Sequence, residues 1–535
     1  MENTPKNSRS ILNMNFRERV VTFFSPEKGL SMFQERKKRA IASGYAYHGA
    51  NKTKNSLIAW QTGGGSAEDD IDKQSTTLRV RSRDLYTGGG LGRAAPATMV
   101  TNVVGWGISP KPKPDLDVLG MSEQEADDWG KNTLREFNMW AKTTMCDASR
   151  QLNFWEMMEL SFRSELVSGD DFVLLEHKPN LQNPYTLTLR LLEADRVCTP
   201  ETDGESEAKN LDNGGRIIDG VEINKDGEVC RYHIASYHPM AEETQGEITW
   251  TAIDAYGKET GMPNILPIMT VERPEQRRGI PFVSAMIEQI KQLDRYLSSE
   301  LAASIVHSML TVFITTKDPD DGEYALPDGV PEDEKVTDDP MKIEMGNGNV
   351  YELPPNKDVK SIGNTRAPTA FDSFVSRTVT MIASSVEIPP EVLMHQYGSN
   401  YTASRAAALD FWKVVRRYRK QFIGQFCQPI YEQWLAEAVA LGRVDAPGFF
   451  DDPAIREAWC ACQWIGTSQG HVQPVQEAQA AISRMEAGIS TGEQEAMEFN
   501  GSNYLENLSQ RAKEIKARNK AMPGEKEDKQ DAKHK

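Results

Sequence analysis

The 535-residue chain has no run of about twenty consecutive apolar residues, the length a membrane-crossing helix needs. Its first thirty residues hold a short apolar patch, Val20 to Phe24, but no signal-peptide hydrophobic region or cleavage site, so synthesis in a cytoplasm is expected. Six cysteines are too few for a disulfide scaffold in so long a chain. Cys460-Ala461-Cys462 has no second close pair and no His-x3-His to complete a zinc site, and between Trp459 and Trp464 it reads as buried helix. His233 and His238 lie in a strand-like stretch without metal spacing. There is no Walker A, no H-E-x-x-H and no G-x-S-x-G, and Gly88-Gly89-Gly90 lacks the spacing of a phosphate cradle. No catalytic residue, metal or cofactor is therefore expected. An acidic metal-dependent nuclease is the enzyme class hardest to exclude, because its ligands can be scattered.

A basic balance is missing too. The net charge is -17, whereas static binding of nucleic acid draws most of its affinity from Lys and Arg on phosphates. The acidity can simply serve solubility.

With 39% apolar and 26% charged residues, the composition is that of a globular protein. A basic, polar N-terminal stretch, including Arg36 to Arg39, is expected to be partly mobile and ends near Gly63-Gly64-Gly65. Helical patterns follow at Asp69 to Tyr86, Leu91 to Val104, Met121 to Trp140 and Phe154 to Val167. The third has a cap signal in Ser122 and Glu125. Arg79, Arg81 and Arg83 could meet acidic partners or simply occupy an exposed helix face. From Asp170 to Ile268 the period changes to two, and turns bearing Gly, Asn and Pro separate strand-like runs, an antiparallel β region inside a helical protein.

The organising stretch is Pro281 to Leu441. A helix is expected from Pro281 to about Phe313, roughly 45 Å long. Lys317 to Pro340 then carries ten acidic residues against two lysines, a segment that protrudes or is disordered. A second helical pattern opens at Ala370 and is stopped by Pro389-Pro390. The loop HQYGSNY leads to a third pattern, from Thr402 to Leu441, broken near Pro429. Arg405, Lys413, Arg416, Arg417, Arg419 and Lys420 give that third helix a basic face, suited either to DNA or to an acidic neighbouring subunit. Two further patterns, Gln473 to Gly488 and Thr491 to Leu508, precede a charged end expected to be disordered from Arg511.

Several strings occur together and in order: RVRSRDLY at Arg79 to Tyr86, TNVVGWGI at Thr101 to Ile108, and RGIPFVSAMIEQIKQLDRYLSSELAA at Arg278 to Ala303. IPPEVL at Ile388 to Leu393, NYTASRAA at Asn400 to Ala407, and FCQPIYEQWLAEAVALG at Phe426 to Gly442 follow them. Through these the chain resembles the portal proteins of tailed bacteriophages, in particular the lambda-type family, over roughly residues 75 to 510. One departure is Glu387, where the family leads one to expect glycine.

The resemblance implies a mixed α+β, mainly helical portal fold that assembles into a ring, with an N-terminal arm (1–65) and a wing (66–280). A stem helix (281–315), a clip (316–369) and a second stem helix (370–388) would follow. A tunnel loop (389–401), a long wing helix with its following segment (402–466), a crown (467–510) and a disordered tail (511–535) would complete it. Ser298, Ser299, Ala302, Ala303 and Ser304 would let stem helices approach closely. His395, Gln396, Tyr397, Gly398, Ser399, Asn400 and Tyr401 would face DNA, touching its backbone weakly and without sequence preference. Asp318, Asp320, Asp321, Glu323, Glu332, Asp333 and Glu334 would meet clip partners by opposite charge. The implied role is a noncatalytic DNA channel, a ring of twelve subunits at one capsid vertex, which nucleates head assembly. Its partners would be the terminase large subunit, major capsid and scaffolding proteins, head-completion or adaptor proteins and double-stranded DNA, with no membrane. A minor head or adaptor protein without a DNA channel is the competing reading.

Overall fold

Caps and chain breakers set most element boundaries. The computed structural model describes residues 16–42, 63–202, 205–206, 211, 214–241, 247–308, 312–316, 357–361, 371–397, 401–470, 473–502 and 504–521. These fall into two units, 1–66 and 67–535. The first contains α1 (Phe16–Phe24) and α2 (Pro26–Ala42), which contact each other across a break at Ser25. Pro26 occupies the first turn of α2, where a missing N–H costs nothing.

The second unit opens with a π-turn at Glu68–Asp72 that runs into α3 (Lys73–Gly88), followed by α4 (Gly90–Val103). A short strand, β1 (Ser109–Pro112), leads to α5 (Leu116–Leu119) and α6 (Glu123–Ala141). Ser122 and Glu125 form the expected capping box at the start of α6. Asn153 and Glu156 form a second one at α7 (Phe154–Ser168).

The β region that follows is two sheets. One has the order β10-β2-β3, built from β2 (Asp170–His177), β3 (Leu187–Leu192) and β10 (Ile265–Met269). A two-stranded ribbon, β4 (Glu201–Thr202) with β5 (Glu205–Ser206), precedes the second sheet. That sheet is an antiparallel meander of β6 (Arg216–Ile218), β7 (Val221–Ile223), β8 (Val229–Ala235) and β9 (Trp250–Asp254). Phe172, Leu192, Val197, Ile218, Tyr232 and Ile265 fill the core between the two.

The long helix α8 spans Ile287–Ser308, about 33 Å at 1.5 Å per residue, and is shorter at both ends than the periodicity predicts. A tight 3-10 turn at Ser284–Met286 replaces its first turn. At the other end the β-branched run around Val312 forms β11 (Val312–Thr316), paired antiparallel with β12 (Lys357–Ser361). The acidic segment, with Asp318, Asp320, Asp321, Glu323, Glu332, Asp333 and Glu334, lies outside the described residues, between the two members of that ladder.

Next come α9 (Phe371–Ser385), α10 (Pro390–Leu393) and α11 (Tyr401–Phe422). The sequence predicts a break near Pro429. Instead, a π-segment at Ile423–Cys427 carries α11 directly into α12 (Gln428–Ala440). The wider turn leaves room for a ring that would otherwise strike the preceding turn.

Beyond it, α13 (Pro453–Cys460) is followed by β13 (Cys462–Ile465), which pairs antiparallel with β1, so Cys460 ends a helix while Cys462 is on a strand. The last helices are α14 (Pro474–Glu486), α15 (Gly492–Asn500) and α16 (Tyr504–Ala521). The expected Thr491 to Leu508 helix is divided because Gly501, at φ +70, takes the left-handed conformation that ends α15. The charged end expected to lack order is helical as far as Ala521, with no buried residue.

The main core joins α6, α7, α11 and α12. Phe137 packs edge-on against Trp434 with centroids 5.0 Å apart, and also meets Phe154 and Tyr431. The Trp140 indole donates to the Leu187 carbonyl at 2.9 Å, locking α6 to β3.

Candidate nucleic-acid loop and its supports

The candidate loop begins where α9 ends. Glu387 has φ +56, the left-handed region where glycine is favoured, so this chain keeps the conformation for which a glycine was expected while carrying a carboxylate. The Ile388 N–H donates to the Ala383 carbonyl at 3.0 Å, and Arg417 on α11 pairs with the Glu387 carboxylate. Glu387→Gly should remove left-handed strain of about 1 kcal/mol and an exposed ion pair that contributes no more than about that. The thermal midpoint is therefore expected to stay the same or rise slightly; a clear fall would show that the pair dominates.

Buried Val386, Ile388 and Leu393 anchor the turn and α10 in the core. His395 then adopts φ +52, the Gln396 N–H donates to the Glu391 carbonyl at 3.0 Å, and Met394 through Tyr397 are exposed. Thus His395, Gln396 and Tyr397 stand together on an anchored, outward turn. Gly398, Ser399 and Asn400 lie outside the described residues, and Tyr401 opens α11.

The basic face of α11 is occupied in a way the sequence did not disclose. Arg405 lies 3.4 Å from Glu477, Arg416 3.5 Å from Glu498, and Lys413 3.1 Å from Asp410. Arg419 donates to the carbonyls of Asn102 and Val103, at 2.7 and 2.9 Å, at the negative end of α4, and lies over the Trp412 ring. Burial, followed by the nearby charge of Arg416, lowers its pKa to about 10. Much of this charge therefore holds α11 to α4, α14 and α15 within one protomer.

Arg79 and Arg83, which an exposed face would have accounted for, belong to an internal charge cluster. Gly169 and Gly279 approach so closely that a Cβ on Gly279 would lie 1.8 Å from the Gly169 carbonyl oxygen. This contact brings Asp170 against Arg278, both fully buried. Arg278 Nε donates to Asp170 Oδ2 at 2.6 Å, and its other nitrogens reach the carbonyls of Val197, Asp219 and Ala194 at 2.7, 2.8 and 2.7 Å. Arg79 lies 3.3 Å from both Asp170 and Asp195. The cluster ties α3, both sheets and the segment entering α8 into one support.

Burial opposes the Asp170 carboxylate, but Arg278 and Arg79 hold it below the usual range. Glu165, also buried, is raised to about 7 by desolvation, although the Thr270 hydroxyl donates to it at 2.9 Å. Burial likewise raises Asp171 well above, and Asp72 to about 6. Glu193, Asp195 and His238 converge closely enough to suggest a cation site. Guanidinium groups already meet that charge, however, with Arg83 2.6 Å and Arg79 3.3 Å from Asp195. No local motif marks these residues as partners, because the pairs are separated by 91 to 116 positions.

A sequence profile described as phage portal protein, lambda family, matches residues 53–419. Portal protein B of Escherichia phage lambda is 22% identical over 493 residues, covering 89% of this chain and 90% of that protein. The portal protein of Escherichia phage N15 is 23% identical over 486 residues, covering 87% and 88%. Among solved structures, the neck of a native gene transfer agent particle computed with C12 symmetry matches 81% of this chain and 94% of that chain, at 13% identity and TM-score 0.41. The neck of an empty particle computed with C6 symmetry matches 79% and 92%, at 13% identity and TM-score 0.45. The chain belongs to the lambda family of phage portal proteins, structural components of the virion and not enzymes.

Proposed function

We propose that this chain assembles head-to-tail into a ring of about twelve copies at one capsid vertex, forming the channel through which a terminase motor packages double-stranded DNA and through which the DNA later leaves. In this reading α8 and α9 are the stem, residues 316–369 the clip, residues 389–401 the tunnel loop and residues 467–510 the crown. The sheets and the helices around them form the wing. Assembly takes place in the host cytoplasm, with the ring nucleating the head and later receiving head-completion proteins.

The observation that carries the reading is the helix pair below the loop. Each helix is anchored at one end, α8 by Ile290 and Leu293 and α9 by Val379 and Ile382. Tyr296 packs on Phe371 and Phe374 between them, at 5.9 and 4.9 Å. Beyond the anchored end of α8, Leu297, Leu301 and Ile305 remain exposed beside the small residues Ser298, Ser299 and Ala302, and on α9 Phe374 and Met381 are exposed too. Closely packed neighbouring copies would cover such a face, and a ring requires two different complementary faces on each protomer. The acidic net charge suits a wall past which a stiff duplex slides.

Electron microscopy with mass determination tests this. Closed rings of about twelve copies with a lumen of roughly 20 Å or more, enough for straight duplex, are expected; monomers or dimers without a lumen over a range of salt and concentration would overturn the proposal. Deleting Tyr397 to Tyr401 is expected to leave rings intact while impairing DNA packaging or retention. Loss of the rings themselves would remove that loop from the lumen.

A further inference from the structure

Resting on the ring reading, we infer that the α1–α2 arm of one copy docks on an acidic end of an adjacent copy, the surface formed by α5, the start of α6 and residues 441–457. On α1, Phe16, Val20 and Phe23 follow helical spacing along one face and are 83%, 41% and 84% exposed. Arg17 and Arg19 flank that face. Residues 1–66 carry eleven Lys and Arg against four Asp and Glu, leaving 50 against 74 in the remainder of the chain. The arm is therefore basic and apolar, on a protein that is otherwise acidic.

The receiving surface has the opposite charge and its own apolar residues. Its parts are contiguous: the Asp115 N–H donates to the Ala458 carbonyl at 3.0 Å, the Trp129 indole to the Asp445 carbonyl at 2.7 Å, and Trp129 packs on Trp459. Asp117, Asp127, Asp128, Asp445, Asp451 and Glu457 are exposed there. Among them stand Val118, Leu441 and Phe450, exposed by 55%, 48% and 65%. An aromatic helix face flanked by arginine would cover these apolar side chains while its charges meet the surrounding carboxylates. Duplex DNA would engage the arginines and leave Phe16, Val20 and Phe23 uncovered. In a closed head-to-tail ring every copy has a neighbour to receive its arm.

The test uses the full-length chain with Phe23 replaced by the photo-crosslinker p-benzoylphenylalanine, irradiated with and without duplex DNA. Products are sized on denaturing gels and mapped by peptide mass spectrometry. Dimers and a ladder of higher products, with the attachment in residues 115–131 or 441–457, are expected. Their yield should fall about fivefold in Arg17→Glu/Arg19→Glu, and similarly at about 0.5 M salt, since the steering is electrostatic. Adding Asp127→Lys/Asp128→Lys should restore much of the yield to the arm variant. Attachment only within one chain, to another surface, or to DNA at the expense of the protein product would overturn the inference. Rings are counted in the same samples: rings without the predicted attachment overturn the docking and leave the portal reading intact. Samples lacking rings altogether overturn that reading, and the docking with it.

Discussion

Asp170→Ala is expected to lower the unfolding free energy by about 3–5 kcal/mol, the typical cost of leaving a buried partner charge uncompensated. Arg278 has no solvent to replace the lost carboxylate, and Arg79 loses one of its two anionic partners in the same step. The Gly279 N–H, which donates to Asp170 at 3.0 Å, is also left unsatisfied. Denaturant unfolding at fixed protein concentration measures the effect. A loss below about 1 kcal/mol would mean that the cluster is hydrated or rearranges easily. Joint replacement of Asp170 and Arg278 by apolar residues of similar size should cost less than Asp170→Ala alone, because no lone charge remains.

The second large effect is a decline in stability as pH rises from about 4.5 toward neutrality. Glu165 is raised by burial from an ordinary 4.5 to about 7, so between those values the folded chain retains a proton that the unfolded chain releases. Its contribution is therefore complete below about pH 4.5, declines as pH increases and levels off above about 7. At about 1.4 kcal/mol per pKa unit, it amounts to roughly 3–4 kcal/mol. Asp72 and Asp171, also raised by burial, act in the same direction. Asp170 and Asp195 oppose this only in stronger acid: held low by Arg79 with Arg278 or Arg83, their contributions disappear as pH falls through those depressed values. Urea midpoints measured from pH 5 to 8 should fall for the natural chain and fall much less for Glu165→Gln. Equal slopes for the two proteins would rule out Glu165 as the source.

How much was legible depended on the range of the interaction involved. The capping box at Ser122 and Glu125 is local, and it appears where three-residue spacing predicts it. The change from helical period to alternation at Asp170 likewise marks the first strand of the sheets. Boundaries set by competition were less accessible. The helical pattern of α8 continues past Ser308 in the sequence, but pairing of Val312–Thr316 with residues 357–361 favours strand there. Pro429 reads as a break because a local rule cannot anticipate that a π-segment will absorb it.

The candidate site divides along the same line. Exposure of His395, Gln396 and Tyr397 was foreseeable from a polar loop next to Pro389-Pro390, whereas the left-handed turn at Glu387 and its tie to Arg417 required the fold. Periodicity, caps and the order of motifs are written in neighbouring residues, so the sequence by itself determined the mainly helical architecture, the inserted β region and the family. Only the tertiary structure decided that Arg79 and Arg278 are buried around Asp170 and that the arginines of α11 are largely engaged within the protomer. A charge has no intrinsic inside or outside until distant segments bring its counterion or a carbonyl within reach.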